Sequence, residues 1–187
     1  MNPAPPPTPA RPEQLDRVTD TLARAFLDDP LWGWAFASVE ELATCWRRCL
    51  MSAIPDGWVW TTAAAEAVTL WIRPGRPELT PDHEAAFEPE LRALMGDRAQ
   101  VPLDAFATLE AHHPHSEDHY FLSLFGTHPD HRGRGHGMRL LRDNLAAIDA
   151  EHAAAYLESS NPANLPLYRR HGFEVAAEGT CQGGQGR

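Results

Sequence analysis

The sequence has little that is typical of secreted or membrane-bound proteins. It contains three cysteines among 187 residues, too few for the disulfide framework of a small secreted domain and suited to a reducing compartment. No apolar run approaches the length that spans a bilayer, and residues 1–12 have no hydrophobic core that could serve as a secretion signal. We therefore expect a cytoplasmic protein without a membrane partner.

Positive charge is also scarce. The chain has 16 basic and 26 acidic residues, a formal net charge of −10 and an isoelectric point near 5.4. This balance argues against nucleic acid as a partner and slightly favours a basic or amine substrate. The length fits one domain that can bury most of its apolar surface, and we place that domain at residues 13–178.

The two ends of the chain differ in composition from this domain. Residues 1–12 hold six prolines among small residues, which cannot propagate a helix and have little to bury, so we expect a disordered tail. Residues 179–187 are glycine-rich and lack the apolar alternation that a strand needs. They are expected to form a flexible C-terminal tail.

Apolar periodicity predicts an alternation of helices and strands between these tails. In chain order we expect helices at 13–29 and 40–54, a hairpin of strands at 58–62 and 67–72, helices at 84–95 and 102–110, a buried strand at 120–127, a helix at 135–150, a strand at 154–160, a short helix at 162–170 and the start of a strand at 172–175. Such an order indicates an α/β domain built on one mixed sheet flanked by helices.

A glycine loop joins the buried strand to the helix that follows it. Gly133, Gly135 and Gly137 stand at alternate positions, where they let the backbone approach a ligand, and the N-terminus of a helix attracts an anion. Arg132 and Arg134 add charge-assisted donors, so the expected guest is a pyrophosphate. Neither the dinucleotide-binding fingerprint nor the P-loop pattern matches this spacing.

Two motifs resemble those of the GCN5-related N-acetyltransferases (GNAT). Arg132-x-x-Gly135-x-Gly137 matches the Q/R-x-x-G-x-G/A loop of that family, and residues 157–173 match its LExS…N…xYxxxGF pattern. The resemblance extends from about residue 112 to 175 and is most similar to the branch that includes puromycin N-acetyltransferase and many bacterial proteins. It implies a mostly antiparallel mixed sheet, acetyl-coenzyme A as cosubstrate, a primary amine as acceptor and no metal.

The resemblance also implies which residues bind acetyl-coenzyme A. Backbone groups at the end of the central strand, the glycine loop and an asparagine of the second motif correspond to Phe125, Gly126, Thr127, Arg132, Gly133, Arg134, Gly135, His136, Gly137, Met138 and Asn164. The chain departs from the family at both ends, where a first and a last strand are expected to be missing. The free edge is either unpaired or completed by another subunit, so a monomer and a homodimer both stay open.

Catalysis needs a proton acceptor for the amine and a proton donor for the leaving thiolate. Tyr168 lies four residues after Asn164, and the resemblance places both against the cosubstrate, so its hydroxyl is the expected donor. Glu158 is the expected base and His119 the reserve base. The alternatives are an ion pair with an arginine for Glu158 and a packed, half-buried ring for Tyr168.

Other clusters allow two interpretations each. Trp32, Trp34 and Phe36 follow the first helix and either pack in the core or form the wall of an acceptor pocket. Histidines at 112, 113, 115 and 119 suggest a metal site, but their spacing is that of a polar loop and no thiolate joins them, so we expect no metal.

Three functions are compatible with these observations. The first is acetylation of a small amine such as an antibiotic or metabolite. The second is acetylation of a protein or peptide, and the third is a regulator that binds coenzyme A without catalysis. The aromatic residues near the N-terminus favour a closed pocket and therefore the first function.

Overall fold

The computed structural model describes residues 6–114 and 117–179. Five strands form one sheet in the order β1 to β5. Their bounds are β1 Thr8–Pro9, β2 Val59–Thr61, β3 Ala67–Ile72, β4 His119–Thr127 and β5 Ala154–Leu157. The first four strands pair antiparallel with their neighbours, and β5 runs parallel to β4. The predicted mixed, mostly antiparallel sheet is confirmed.

Seven α-helices accompany these strands within the described ranges. They are α1 Leu15–Phe26, α2 Trp32–Ala35, α3 Val39–Ala53, α4 Pro81–Met95, α5 Gln100–His112, α6 His136–Ala150 and α7 Leu165–Arg169. Every predicted helix forms, with ends that differ by a few residues because local caps set them. Ser38, for example, accepts a hydrogen bond from the backbone N–H of Glu41 and so starts α3.

Helices cover both faces of the sheet. One cluster of buried side chains joins α1, α3, α4 and α5 to one face, and a second cluster joins α6 to the other. Every residue of β3 is buried because both of its faces are covered. Cys45 and Cys49 lie fully inside the larger cluster, where burial raises the pKa of both thiols.

A β-bulge at Ser123 divides β4 into two halves. The register with β3 skips this residue. Before the bulge, Leu122 packs in the α6 cluster and Phe121 against the larger cluster; after it, Leu124 packs in the larger cluster and Phe125 against the α6 cluster. Because of the extra residue, side chains that would point to one face of the sheet point to the other after the bulge, as expected for a one-residue shift.

The N-terminal segment corrects the prediction of a wholly disordered tail. Thr8–Pro9 pair with Trp60 and Thr61 of β2, and the backbone N–H of Ala10 donates to the carbonyl of Val59 at 2.7 Å. Proline is tolerated here because β1 is an edge strand. The first strand that the sequence was expected to lack is thus present in a short form, while residues 1–5 lie outside the described residues.

The C-terminal segment corrects a second prediction. Residues 173–179 contain no strand, although the sequence predicts one from 172. Phe173 instead packs its ring against Tyr168, with a centroid distance of 6.1 Å. Most of the predicted C-terminal tail, 180–187, lies outside the described residues. No helix in the described part of the chain is long and apolar enough to cross a membrane.

Candidate active site

A cavity of about 1140 Å³ opens where β4 and β5 separate. Their pairing ends at Leu122 and Leu157, where β5 stops, while β4 continues to Thr127. The second half of β4 therefore has a partner on its β3 side and an open edge toward the cavity. An unpaired strand edge offers backbone N–H and C=O groups to a ligand.

We call the first wall of this cavity the donor side: residues 123–127 of β4, the loop 132–135 and the start of α6. Gly133 and Gly135 have φ angles of +75° and +80°, and Gly135 is the N-cap of α6. A Cβ atom built on either glycine would meet no protein atom within 4 Å. The space over the loop is therefore open, and only glycine adopts this backbone without strain.

Gly137 serves a different purpose from the one that the sequence suggests. A Cβ atom there would lie 2.5 Å from the hydroxyl of Thr127 and 3.1 Å from the ring of Phe125. Gly126 is equally confined, because a Cβ atom would lie 2.7 Å from that of Ala25 in α1. These two glycines bring helices close to β4, whereas the loop glycines allow the turn itself.

The two loop arginines differ in their surroundings. The guanidinium of Arg132 donates to the carbonyl of Ala25 at 2.9 Å and lies 3.4 Å from the Asp28 carboxylate. It therefore ties the loop to the end of α1, a role that the sequence did not suggest. Arg134 is exposed, as are Gly133 and Gly135, and of the remaining loop residues Met138 lines the cavity while His136 is half-buried.

Asn144 fixes α6 against the sheet. It is completely buried, and its side-chain oxygen accepts hydrogen bonds from the Thr69 hydroxyl at 2.7 Å and the Trp71 indole at 3.1 Å. Sliding of α6 along β3 would leave the buried donors of Thr69 and Trp71 without this acceptor, which is costly. The N-terminus of α6 consequently has a defined position relative to β4.

Glu158 lies at the cavity directly after β5. Its side chain is 16 % exposed, and its Oε1 atom accepts a hydrogen bond from the Tyr156 hydroxyl at 3.1 Å. Burial raises the pKa of the carboxyl group, and the nearby carboxylates of Glu78 and Glu110 raise it further. No arginine forms an ion pair with Glu158 among the described residues, so the alternative role considered for it has no support.

Tyr168 of α7 also lines the cavity, as does Asn164 immediately before that helix. Burial, followed by the charge of Asp29, raises the pKa of Tyr168 to about 12. An unperturbed tyrosine has a pKa near 10. The phenol is therefore a weaker acid than expected, and it keeps its proton throughout the physiological range.

We call the opposite wall the acceptor side: the loop 73–80, the C-terminal half of α5 and residues 117–119. Glu78 accepts a hydrogen bond from the Ser123 hydroxyl at the bulge. Glu78 is exposed at the opening of the cavity, and the protein atoms that surround its carboxyl group, together with Glu110, raise the pKa of that group. Eight acidic residues line the cavity, namely Asp28, Asp29, Glu78, Glu84, Glu110, Glu117, Asp118 and Glu158, against three arginines, Arg73, Arg76 and Arg132.

The aromatic triplet after α1 does not act as a unit. Trp32 lines the cavity and packs against Phe106 at 4.7 Å between ring centroids. Phe36 is completely buried in the larger cluster, and Trp34 is 46 % exposed outside the cavity. Trp32 therefore lines the cavity, Phe36 has the packing role, and Trp34 has neither of the two roles that the sequence allowed.

The predicted reserve base His119 lies at the start of β4, beside His113. Their Nε2 atoms are 3.1 Å apart, and both rings line the cavity. Within 6–114 and 117–179 no group of three or more histidine, cysteine, aspartate or glutamate side chains is arranged to hold a metal ion. His115 of the predicted cluster lies outside the described residues.

Comparison with known proteins shows which domain family and fold this chain is similar to. Residues 97–175 match the family model of the acetyltransferase (GNAT) domain. The chain has the GNAT fold. The matched region contains β4, the glycine loop, α6, β5 and α7, and it includes the donor side and the three catalytic candidates.

Solved structures with the GNAT fold extend the likeness over the rest of the chain. A Corynebacterium glutamicum protein described as histone acetyltransferase HPA2 and related acetyltransferase is 23% identical, with 95% of this chain and 92% of that chain covered and a TM-score of 0.60. A Drosophila melanogaster polyamine N-acetyltransferase that forms N-acetylagmatine is 15% identical, with 91% and 83% covered and a TM-score of 0.60. An N-acetyltransferase from Staphylococcus aureus Mu50 is 17% identical, with 91% of each chain covered and a TM-score of 0.59.

Sequence reasoning missed the residues that reach the cavity from distant segments. Glu78 and Glu110 carry no motif, and neither is close in sequence to the glycine loop. Tyr156 had a detectable signal, because it stands two residues before Glu158 in the predicted strand 154–160, where alternate residues share a face. His113 was noted only as part of a histidine-rich loop.

Proposed function

We propose that this chain transfers an acetyl group from acetyl-coenzyme A to the amine of a small cationic molecule. The observation that carries the proposal is the separation of β4 from β5 next to the glycine loop. It leaves an unpaired strand edge, an open helix N-terminus, a half-buried carboxylate and a phenol around one cavity. The proposed acetyl transfer needs each of these four groups.

The donor side fits the cosubstrate. The open space over Gly133 and Gly135, together with the first amide groups of α6, would hold the pyrophosphate. The free edge of residues 125–127 and the side chain of Asn164 would hold the pantetheine arm. When bound, acetyl-coenzyme A supplies a thioester carbonyl that an amine can attack.

Glu158 would take the proton of the attacking amine. An ammonium ion is not nucleophilic, so the amine must lose a proton before or during attack. The raised pKa of Glu158 makes it a stronger base than an ordinary glutamate. The Tyr156 hydroxyl bonds to Oε1 and so orients the carboxylate.

Tyr168 would give a proton to the departing thiolate. Its raised pKa keeps the hydroxyl protonated when the substrates bind. Asp29 raises the pKa of Tyr168, and its carboxylate also accepts a hydrogen bond from Ser160 at 2.8 Å. The end of α1 is thereby held next to the residues that follow β5.

The charge of the cavity supports a cationic acceptor. Its eight acidic and three basic residues leave an excess of five negative charges, and Arg76 is already paired with Asp56 at 2.8 Å. Such a surface concentrates cations. Two structural neighbours are described as acting on agmatine or polyamines, which are small cationic amines. The likeness to the puromycin N-acetyltransferase branch stays a prediction from the sequence motifs.

Release of free thiol from acetyl-coenzyme A tests the proposed activity. The chain contains no lysine, so acetylation of its own side chains adds little background. We expect turnover with diamines or guanidino-amines, weaker turnover with monoamines and none with basic peptides. Tight binding of acetyl-coenzyme A without turnover across this panel would instead indicate a regulator, and preference for peptides would indicate a protein acetyltransferase.

The dependence of rate on pH tests the role of Glu158. Because its pKa is raised from the ordinary 4.5, activity should be lost as the pH falls through a value above 4.5. Glu158→Gln should lower kcat by roughly 10²-fold or more and remove this acidic limb. A Glu158→Gln enzyme with unchanged kcat and an unchanged limb would assign the base elsewhere.

A further inference from the structure

A line of polar groups leads from Glu158 along the acceptor side of the cavity. The Nδ1 atom of His113 lies 3.9 Å from Oε1 of Glu158, and its Nε2 atom lies 3.1 Å from Nε2 of His119. The Nδ1 atom of His119 in turn lies 2.8 Å from the carbonyl oxygen of Glu117. Glu117 is exposed, so the line ends at solvent.

The hydrogen bonds of His119 fix the positions of the protons. A carbonyl oxygen only accepts, so Nδ1 of His119 carries a hydrogen. In neutral His119 the Nε2 atom is then an acceptor, and Nε2 of His113 must donate to it. Neutral His113 consequently has an unprotonated Nδ1 atom on the side of Glu158.

The two imidazoles are held by packing as well. The ring of His113 lies 4.7 Å from that of Phe121 and 5.2 Å from that of Tyr156, and the ring of His119 lies 5.3 Å from Tyr156. The side chain of His113 is only 18 % exposed. Contacts on several sides limit rotation of both rings and keep the nitrogen atoms aligned.

The groups around Glu158 act on its pKa in opposite directions. Glu78 from the loop after β3 and Glu110 from α5 raise the pKa of Glu158, whereas His112 from α5 and the Tyr156 hydroxyl lower it. Glu117 and Asp118 stand exposed beside His119. A cationic His119 is therefore next to negative charge at the surface.

We propose that His113 and His119 carry the proton of the amine from Glu158 to solvent. The inference depends on the proposed function, in which Glu158 is the base. Protonated Glu158 gives its proton to Nδ1 of His113, the Nε2 proton of His113 passes to Nε2 of His119, and His119 releases its Nδ1 proton to water. Glu158 is then a carboxylate again, with His113 protonated at Nδ1 and His119 at Nε2. Both histidines return to their starting tautomers by exchanging protons with water before the next amine reacts. The separation of 3.9 Å closes by a small movement of either side chain or through one water molecule.

The tautomers of the two histidines can be measured without turnover. Long-range ¹H–¹⁵N correlation spectra of the ¹⁵N-histidine-labelled protein at pH 8 should show His119 protonated at Nδ1 and His113 protonated at Nε2. The His113→Gln and His119→Gln variants assign the signals. A His113 protonated at Nδ1, or a His119 protonated at Nε2, would overturn the relay whether or not the chain acetylates amines.

Chemical rescue tests the transfer itself. In a minimal concentration of a non-transferring buffer, His113→Ala should lower kcat about 10-fold or more, and added imidazole should restore it in proportion to its concentration. A series of substituted imidazoles should restore kcat to an extent that follows their basicity. A residue that only packs would lose activity without this dependence on buffer.

His112→Ala is the matched control. It removes the neighbouring histidine, whose charge lowers the pKa of Glu158, but it leaves the line of nitrogen atoms intact. We expect the acidic limb to move to higher pH with no response to imidazole. Full kcat in His113→Ala, or reduced kcat that imidazole does not restore, would refute the relay while leaving the acetyltransferase function in place.

Discussion

The donor side and the acceptor side of the cavity are built in different ways. On the donor side the backbone supplies the groups that meet a ligand: the turn at Gly133 and Gly135, the first amides of α6 and the free edge of β4. On the acceptor side, side chains from the loop after β3, from α5 and from β4 supply carboxylates and imidazoles. Backbone geometry needs a particular residue type at a particular spacing, whereas a side-chain surface can be assembled from many segments.

This difference explains why the sequence predicts the donor side better than the acceptor side. A positive φ angle restricts a position to glycine and so leaves a readable motif. An excess of negative charge can be reached with Glu or Asp from any segment that folds over the cavity. The following variants test whether the two sides can also be separated in function.

Tyr168→Phe should have the largest effect, because Tyr168 stands between the two sides. Loss of the hydroxyl should lower kcat roughly 10²-fold with little change in affinity for acetyl-coenzyme A. Steady-state kinetics and calorimetry measure both quantities. Tyr120→Phe is the control, since that hydroxyl bonds to Glu151 at 2.7 Å outside the cavity. Near wild-type kcat in Tyr168→Phe would mean that solvent donates the proton.

Gly135→Val should damage the donor side alone. A β-branched residue at a φ of +80° is strained, and the loop must rearrange, so affinity for acetyl-coenzyme A should fall by about 10- to 100-fold. Gly57→Val places the same strain at a φ of +76°, outside the cavity. It should reduce stability without changing affinity. If folded Gly135→Val and Gly57→Val bound acetyl-coenzyme A with equal affinity, the assignment of the loop to cosubstrate binding would be contradicted.

Glu78→Gln should affect the acceptor side alone. Removing one carboxylate should raise the KM for a diamine about 5- to 10-fold and leave the KM for acetyl-coenzyme A unchanged. With a monoamine the increase in KM should be smaller, because a monoamine has no second positive charge for Glu78 to contact. Glu40→Gln on the exposed start of α3 is the control. A change in the KM for acetyl-coenzyme A would show that the two sides are not independent.

Glu41→Gln should have the smallest effect, because Glu41 supports the acceptor-side helices and does not reach the cavity. Its carboxylate accepts from Arg98 at 2.8 and 2.9 Å and from the Ala37 backbone, and the Arg98 hydrogen bond is the main cause of its lowered pKa. Arg98 is half exposed, so we expect a loss of only about 0.5–1 kcal/mol in free energy of unfolding.

The pH dependence of that loss has a defined sign. A lowered folded-state pKa means that the stabilisation is complete above the unfolded value of about 4.5 and disappears as the pH falls through the folded value. Urea unfolding at several pH values should therefore show a difference between Glu41→Gln and wild type at neutral pH that vanishes in acid. Glu88→Gln, in the exposed pair with Arg92, should show almost none. A difference that grew in acid would contradict the assignment.

Sequence alone determined most of the elements and the glycine loop of the donor side. Helical and strand periodicity reflect which face of a segment is buried, and that pattern is local. The glycine loop is equally local, because the φ angles of Gly133 and Gly135 belong to the residues themselves. Even there, the separate role of Gly137 depends on its distance from Thr127 and could not be deduced from spacing.

Tertiary structure alone decided the acceptor side and the ends of the sheet. Glu78, Glu110 and Glu158 come from three elements, and their mutual effect on pKa exists only when the fold brings them together. The pairing of Thr8–Pro9 with β2 likewise depends on an edge that the rest of the sheet provides. Electrostatic coupling and strand pairing act between residues distant in sequence, so their outcome is set by the assembled fold and is absent from any single segment.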